Sequence, residues 1–156
     1  MRKPGRNVEW GTPQWLFDWS NREYGPFALD AAAKPANAKC DRFFTEADDG
    51  LNQHWGPETV WCNPPYADCK AWVEKAHWES TYHHTSVVLL LPAYTGTQWW
   101  HDSVSAAAQV VFLRKKFKFE GAEHNSPFYC VLVLFGERYR NQQKMRFANP
   151  HPGATP

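Results

Sequence analysis

The sequence of this 156-residue chain predicts an α/β fold with a mainly parallel sheet and a C-terminal antiparallel strand pair. Strand-like apolar runs alternate with segments of helical periodicity, which is the pattern of strand-helix-strand units. The run SVVLLLPA, which begins at Ser86, is apolar throughout, as in a central strand covered on both faces. The last two runs, QVVFLRKKFKF and FYCVLVLF, are joined only by the loop EGAEHNSP, so we expect them to pair antiparallel.

The first predicted element is a helix with Thr12 as its N-cap and Pro13 as its first residue. Apolar residues at helical spacing follow from Trp15 to Trp19, and Gly25-Pro26 ends the helix. Short strands are expected at residues 27 to 31, 41 to 45 and 59 to 62.

Asp68 is placed to cap a second helix that runs to about Ser80. A third helix is expected over residues 97 to 107, before the two final strands. In such folds ligands bind where loops leave the carboxyl ends of the strands, and Asp30, Asn63 and Pro92 all fall at such positions.

The length allows one domain with a substantial core. We expect a minimal domain over residues 8 to 137, with flexible tails at 1 to 7 and 147 to 156 because both ends lack apolar periodicity. No apolar run approaches the length of a membrane span and no secretory leader is visible, so no membrane partner is expected.

Four cysteines lie in apolar or aromatic surroundings, which favours reduced thiols. A zinc site that pairs Cys62 and Cys69 with His77, His83 or His84 is disfavoured, because structural zinc ligands usually stand two to four residues apart. The sequence therefore predicts no metal.

Charge is unevenly distributed along the chain. Residues 1 to 113 carry 9 Lys and Arg against 13 Asp and Glu, a net of −4, whereas residues 114 to 156 carry 8 against 3, a net of +5. A basic C-terminal third indicates a polyanionic partner, and the 9 tryptophans indicate rings presented for stacking.

The segment WCNPPY, residues 61 to 66, follows a predicted strand and carries the clearest chemical signal. The two prolines hold Asn63 and Pro64 extended, so the turn offers rigid oxygen acceptors beside the ring of Tyr66. A planar group bearing an NH₂, such as a nucleobase, fits this arrangement. Two acceptors could bind both amino hydrogens and aim the nitrogen lone pair at an electrophile, while the ring stacks on the base. The alternative is a turn that merely ends a strand.

An ordered series of motifs resembles the phage-type, Dam-like DNA N6-adenine methyltransferases. The series comprises WGTPQWLF at 10 to 17, FALDAAA at 27 to 33, NAKC at 37 to 40, FFTEADDGL at 43 to 51, WCNPPY at 61 to 66 and SPF at 126 to 128. The resemblance implies a Rossmann-like fold that uses S-adenosylmethionine. It also implies a protein of the bacterial cytoplasm, encoded by a phage or prophage.

By this resemblance each candidate site residue receives a role. Asn63, Pro64, Pro65 and Tyr66 match the catalytic motif, and Thr12, Pro13, Asp30, Ala31, Asp48 and Asp49 match positions that bind the cofactor. Asp30 would hold the ammonium group, although capping of a helix of alanines is an alternative for it. Larger methyltransferases have a glycine-rich turn where this chain has Ala31-Ala32-Ala33, at which left-handed backbone would be strained.

The chain has no insertion large enough for a separate target-recognition domain, so DNA contacts are expected from loops. The candidates are Arg114, Lys115, Lys116, Lys118, Phe119 and Phe128, with further cations in RYRNQQKMR at 138 to 146. Basic residues interleaved with aromatics suit phosphate contacts and stacking on an extruded base. The alternative is an amphipathic edge strand.

The sequence thus predicts transfer of a methyl group from S-adenosylmethionine to the amine of a flipped adenine in double-stranded DNA. An RNA or glutamine-amide methyltransferase remains open, because any planar NH₂ satisfies the chemistry. A non-catalytic nucleic-acid-binding module is the rival from another class. The sequence carries no signal for oligomeric state.

Overall fold

The computed structural model describes residues 10 to 152, which build a seven-stranded sheet with helices on both faces. The strands are β1 (Leu29–Asp30), β2 (Arg42–Phe43), β3 (Thr59–Cys62), β4 (Ser86–Pro92), β5 (Gln109–Leu113), β6 (Cys130–Phe135) and β7 (Met145–Ala148). The α-helices are α1 (Gln14–Tyr24), α2 (Cys69–Tyr82) and α3 (Gln98–Ser103), and short 3₁₀ turns occupy Gly50–Asn52, Tyr66–Asp68, Val104–Ala106 and Glu137–Tyr139. The tail expected at residues 1 to 7 lies outside the described residues.

The strands lie in the order β2-β1-β3-β4-β6-β5-β7. Every neighbouring pair is parallel except the two that involve β6, which runs antiparallel to both β4 and β5. The predicted α/β class and the antiparallel pairing of the two late strands are confirmed. Six strands therefore end at one edge of the sheet, which we call the carboxyl edge.

Strand β4 is the centre of the fold. Alternate side chains of a strand point to opposite faces, and both faces of β4 are covered. Val87, Leu89 and Leu91 pack in the cluster that contains α2, whereas Val88 and Leu90 pack in the cluster that contains α1. All five side chains are fully buried, which explains why this run is apolar at successive positions.

Helix α1 begins one residue later than the sequence indicated. Pro13, not Thr12, is the N-cap, and it is extended, with ψ of 137°. The Pro13 carbonyl accepts the N–H of Leu16 at 3.0 Å and that of Phe17 at 3.1 Å. Thr12 does not cap the helix, because it is buried in the wall of a cavity. The predicted end of the helix at Gly25 is correct.

The predicted start of α2 is correct, since Asp68 occupies its N-cap position, although the Asp68 side chain makes no capping hydrogen bond. The end of β5 differs from expectation. Strand β5 ends at Leu113, whereas the sequence predicted a strand to residue 119. Phe117 and Phe119 leave the sheet and pack into the core on the α1 side, while the basic residues of this segment, 114 to 116 and 118, remain exposed.

Strand β7 was not predicted, and it moves the end of the domain. Met145 to Ala148 pair in parallel with Val110 to Leu113, so the expected domain end at 137 and tail start at 147 are both too early. The strand escaped sequence analysis because it lies at the sheet edge, where Met145 and Phe147 are exposed and no apolar run is required. No helix in the described part of the chain is long and apolar enough to cross a membrane.

Candidate active site

A cavity of about 380 Å³ opens at the carboxyl edge, where β1 and β3 end side by side. Its walls come from these strand ends, the segment before α1 and the turn that follows Asp49. Most of the residues assigned from the sequence to catalysis or cofactor binding line it, namely Thr12, Asp30, Ala31, Asp49, Asn63, Pro64, Pro65 and Tyr66. Pro13 and Asp48 lie outside the lining.

Asp30 ends β1 and is 3% exposed. Its Oδ1 accepts the N–H of Ala32 at 3.4 Å, and its Oδ2 accepts that of Lys39 at 3.0 Å. Burial raises the pKa of this carboxyl to about 6, although the two hydrogen bonds and the Lys39 charge act in the opposite direction. No helix follows Asp30, so it does not cap one. A buried carboxylate of this kind is stabilised in its charged form by a bound cation.

The three alanines after Asp30 are not strained. None of them has a positive φ, and the Ala31 N–H continues the sheet pairing by donating to the Trp61 carbonyl at 2.9 Å. The close approach of backbone occurs instead at Gly50, where a Cβ would lie 2.4 Å from the Ala31 oxygen. A glycine is therefore needed at position 50, in the turn that packs against Ala31, and not in the turn directly after β1.

The two neighbouring acids of that turn have different surroundings. Asp48 is exposed, and its Oδ2 accepts the Thr45 N–H at 2.8 Å and the Thr45 hydroxyl at 2.7 Å. These hydrogen bonds lower the pKa of the Asp48 carboxyl. They stabilise the turn, and Asp48 does not line the cavity. Asp49 reaches the cavity, with a left-handed backbone (φ of 54°) and an Oδ2 that accepts the Asn52 amide at 2.6 Å.

Asn63 follows β3, and its side chain has a defined orientation. Its Nδ2 donates to the backbone carbonyl of Trp10 at 3.0 Å. Because a carbonyl oxygen only accepts, the amide nitrogen must face Trp10, and Oδ1 is left as the acceptor on the other side. The contact joins two segments far apart in the sequence.

The diproline presents a second acceptor. Pro64 is buried, and within residues 10 to 152 no group donates a hydrogen bond to its carbonyl oxygen. The next carbonyl, that of Pro65, is already used, since it accepts the N–H of Asp68 at 3.1 Å in the 3₁₀ turn. The Asn63 amide oxygen and the Pro64 carbonyl oxygen are therefore the two acceptors that this turn leaves available.

Tyr66 lies between the cavity and the core. Its ring meets Phe128 at 5.6 Å and Phe119 at 6.2 Å between centroids, both in edge geometry, so two aromatic side chains brace it. Its hydroxyl is buried and has no hydrogen-bond partner among the described residues, and burial raises the pKa of Tyr66 well above the usual value. Only the ring is thus available to the cavity.

A clamp that sequence analysis missed closes one side of the cavity. Gly11 and Glu120 form a backbone pair, with N–H to carbonyl distances of 3.2 and 2.8 Å. The Lys39 ammonium, 5% exposed at its side chain, reaches Glu120 Oε1 at 2.9 Å and Gln14 Oε1 at 3.1 Å. We call Gly11, Gln14, Lys39 and Glu120 the clamp. No spacing rule links these residues, although Lys39 lies within the quoted NAKC motif.

The candidate DNA-contacting residues divide into two groups. Arg114, Lys115, Lys116 and Lys118 are exposed in the loop after β5, at the carboxyl edge. Phe119 is 1% exposed and stacks on Trp10 at 5.5 Å, so in this structure its ring packs in the core instead of being presented for contact with DNA. Phe128 is half-buried against Tyr66, next to the cavity.

Three cations of the second basic segment, residues 138 to 146, contact other parts of the fold, whereas Arg140 is exposed. Arg138 donates to the Gly25 carbonyl, Lys144 to the Ala107 carbonyl, and Arg146 to Glu23 Oε2 at 3.1 Å. They attach the C-terminal segment to the rest of the molecule. Their position in the sequence did not distinguish this structural use from contact with a nucleic acid.

Comparison with known proteins places these features in one family. A model of the family described as DNA N-6-adenine-methyltransferase (Dam) matches residues 2–150. A DNA N-6-adenine-methyltransferase of Escherichia phage T1 is 33% identical over 105 residues, which cover 67% of this chain and 44% of the relative. One of Haemophilus phage HP1 is 31% identical over 135 residues, 81% of this chain and 77% of the relative. The chain thus spans less than half the length of the T1 relative and about three quarters of the HP1 relative. From the extent of the family match, this chain belongs to the DNA N-6-adenine-methyltransferase (Dam) family.

Proposed function

We propose that this protein transfers a methyl group from S-adenosylmethionine to the exocyclic amine of an adenine extruded from double-stranded DNA, in the bacterial cytoplasm. The observation that carries the proposal is the orientation of Asn63. Its Oδ1 and the Pro64 carbonyl are free acceptors at the wall of the same cavity that contains the buried Asp30 carboxylate. An acceptor pair for an NH₂ thus lies beside a binding site for a cation.

The cavity residues fit S-adenosylmethionine. The volume of the cavity lies within the range of about 300 to 1,000 Å³ that is typical of small-molecule sites. Asp30 would pair with the ammonium group, and that pairing would stabilise a carboxylate whose burial otherwise raises its pKa. Thr12, Ala31 and Asp49 would contact the remainder, with Gly50 leaving room for the turn to approach β1. Pro13 and Asp48 would support these segments without touching the cofactor.

S-adenosylmethionine supplies an electrophilic methyl carbon on a sulfonium. Asn63 Oδ1 and the Pro64 carbonyl would accept the two N6 hydrogens, which favours a pyramidal nitrogen with its lone pair directed away from the ring. Formation of the N–C bond as the C–S bond breaks would leave S-adenosylhomocysteine, and the cationic nitrogen would then lose a proton to water. Pro65 makes the turn rigid, and Tyr66 would stack on the base while Phe119 and Phe128 hold its ring.

The test is incubation of the purified protein with unmethylated DNA and radiolabelled S-adenosylmethionine, followed by nucleoside analysis. We expect N6-methyladenine with the wild type and none with Asn63→Ala or Asn63→Asp. Aspartate keeps the acceptor oxygens but has no N–H to donate to the Trp10 carbonyl. The Asp variant therefore tests whether the oriented amide, and not only a polar side chain at this position, is required. Both variants should keep the wild-type melting temperature within a few degrees and still bind S-adenosylmethionine.

Other outcomes would point elsewhere. Label on cytosine, only on RNA, or on a protein amide would replace the substrate named above. Full activity of Asn63→Ala would refute the acceptor role. Absence of S-adenosylmethionine binding by calorimetry would favour a non-catalytic nucleic-acid-binding module.

A further inference from the structure

A second cluster of functional groups lies outside the cavity lining, at the loop before β3 and the end of α2. His54 stands in the loop before β3, Glu79 on the last turn of α2, and His83 immediately after that helix. One ligand atom from each of these three residues lies within 4.8 Å of the others. His54 Nδ1 is 3.4 Å from Glu79 Oε2, and the two imidazole rings meet at 4.4 Å between centroids.

The carboxylate at the centre of this cluster is buried and held in place. Glu79 is 1% exposed, Lys75 Nζ donates to its Oε1 at 2.6 Å, and the Trp55 N–H donates to its Oε2 at 3.3 Å. A lysine on one carboxylate oxygen is a partner of the kind that orients a metal ligand from outside the coordination shell. The other oxygen, Oε2, lies 3.4 Å from His54 Nδ1.

Two imidazole rings converge on one buried carboxylate. A divalent cation can bind all three groups at once, because imidazole nitrogens and a carboxylate oxygen each offer a lone pair. Two histidines and one glutamate, with an open position for water, is a ligand set that zinc accepts.

We propose that His54, Glu79 and His83 bind a divalent transition metal of the zinc type. The metal joins the loop that contains His54 to the end of α2. This loop also reaches the cavity wall, since Trp55 Nε1 donates to the Gly50 carbonyl at 2.8 Å. The ion therefore acts as a structural cross-link behind the turn that lines the cavity, and it takes no part in methyl transfer. Sequence analysis missed the site because its histidines come from segments far apart in the chain.

The test uses the full chain, stripped with a chelator and titrated with Co²⁺, whose visible absorption reports low-coordinate nitrogen and oxygen ligation. We expect one equivalent to bind, to be displaced by Zn²⁺, and to raise the midpoint of thermal unfolding. His54→Ala should weaken binding by more than about 100-fold, since loss of an outer-shell partner alone costs about 10- to 100-fold. His54 is exposed, so this variant should fold.

His124→Ala is the matched control, because His124 is an exposed histidine in the loop before β6 and lies outside the cluster. It should bind Co²⁺ as the wild type does, and His83→Ala should lose binding as His54→Ala does. The proposal is overturned if the wild type binds no stoichiometric Co²⁺. Equal affinity of His54→Ala and His124→Ala would overturn it as well.

Discussion

Single residues of the cavity have their properties set by neighbours rather than by their own chemistry. The Asn63 Oδ1 is left as an acceptor because the Trp10 carbonyl accepts an N–H of the same amide, and the pKa of Asp30 is raised because the carboxyl is buried. Both effects place an oxygen atom at the cavity wall in a state suited to binding a polar ligand. Each can be tested by one substitution.

Asp30→Asn should change how stability depends on pH. Because burial raises the pKa of Asp30 from 3.8 to about 6, the folded protein binds a proton more tightly than the unfolded chain. The protonated Asp30 carboxyl therefore adds to the free energy of unfolding at low pH, and this contribution is lost as pH rises through about 6. Between about pH 4.5 and pH 7 the free energy of unfolding of the wild type should fall, relative to the variant, by about 2 kcal/mol.

Urea denaturation at the two pH values measures this difference. A constant difference between wild type and variant would show that Asp30 titrates normally. In the same pH window the affinity for S-adenosylmethionine, measured by calorimetry, should rise in the wild type as Asp30 ionises. The variant should bind weakly at both pH values.

Tyr66→Phe should leave methyl transfer nearly unchanged, because the hydroxyl is buried without a partner and only the ring faces the cavity. The free energy of unfolding should stay equal or rise, since a buried unsatisfied polar group costs about 1 to 3 kcal/mol. Activity assays and denaturation curves check the two parts. Tyr66→Ala, by comparison, should lose most activity, and a large loss in Tyr66→Phe would mean that the hydroxyl takes part.

At the scale of elements, the cavity depends on a contact between segments that belong to no common strand or helix. The clamp joins the residues before α1 to the loop after β5 through the pair of Gly11 and Glu120. A Cβ at Gly11 would lie 2.8 Å from Glu120 Oε2, so glycine permits the pairing. The carbonyl of Trp10, the residue before Gly11, accepts the N–H of the Asn63 side chain. By fixing Gly11, the clamp therefore helps to orient the Asn63 amide.

Lys39→Met should weaken S-adenosylmethionine binding by about tenfold, because a hydrogen bond to a charged group contributes roughly 1.5 to 3 kcal/mol and part of this positions the cavity wall. Calorimetry measures the affinity. Arg42→Met is the matched control, since Arg42 pairs with Glu58 at 2.6 Å outside the cavity lining. If both variants bind equally well, the clamp does not support the site.

At the scale of the whole molecule, the topology collects the site and a basic loop at one edge. Strand β5 is parallel to β1, β3 and β4, so the residues after it emerge on the same edge as Asn63. The loop from 114 to 129 therefore runs beside the cavity, with Phe117 and Phe119 anchoring it in the core. Its four exposed cations form a basic surface at this edge, where the proposed function would require contact with DNA phosphates.

Replacing Arg114, Lys115, Lys116 and Lys118 with Gln should reduce the salt dependence of DNA binding. Each lost phosphate contact changes the slope of log K against log salt by about 0.9, so the slope should become shallower by up to about 3.6. Fluorescence anisotropy on a short duplex at several salt concentrations measures it. The double variant Arg42→Gln, Arg140→Gln, which changes exposed cations at the opposite edge, should leave the slope unchanged.

Much of the fold was readable because it depends on local pattern. The order of strands and helices, the buried β4 and the antiparallel β5-β6 pair follow from apolar periodicity and loop length, and they match the structure. Strand β7 and the end of β5 were not readable. An edge strand needs few apolar residues, and a basic run can continue as strand or as loop depending on whether a partner exists.

The sequence by itself determined that a rigid Asn-Pro-Pro-Tyr turn follows a buried strand, because proline restricts the backbone whatever surrounds it. Only the tertiary structure decided which way the Asn63 amide points, that Phe119 is buried, that Gly50 supplies the close approach, and that His54 meets Glu79 and His83. The physical reason is that these states depend on groups far away in the chain. Their positions are set by packing of the whole core, and no local pattern encodes them.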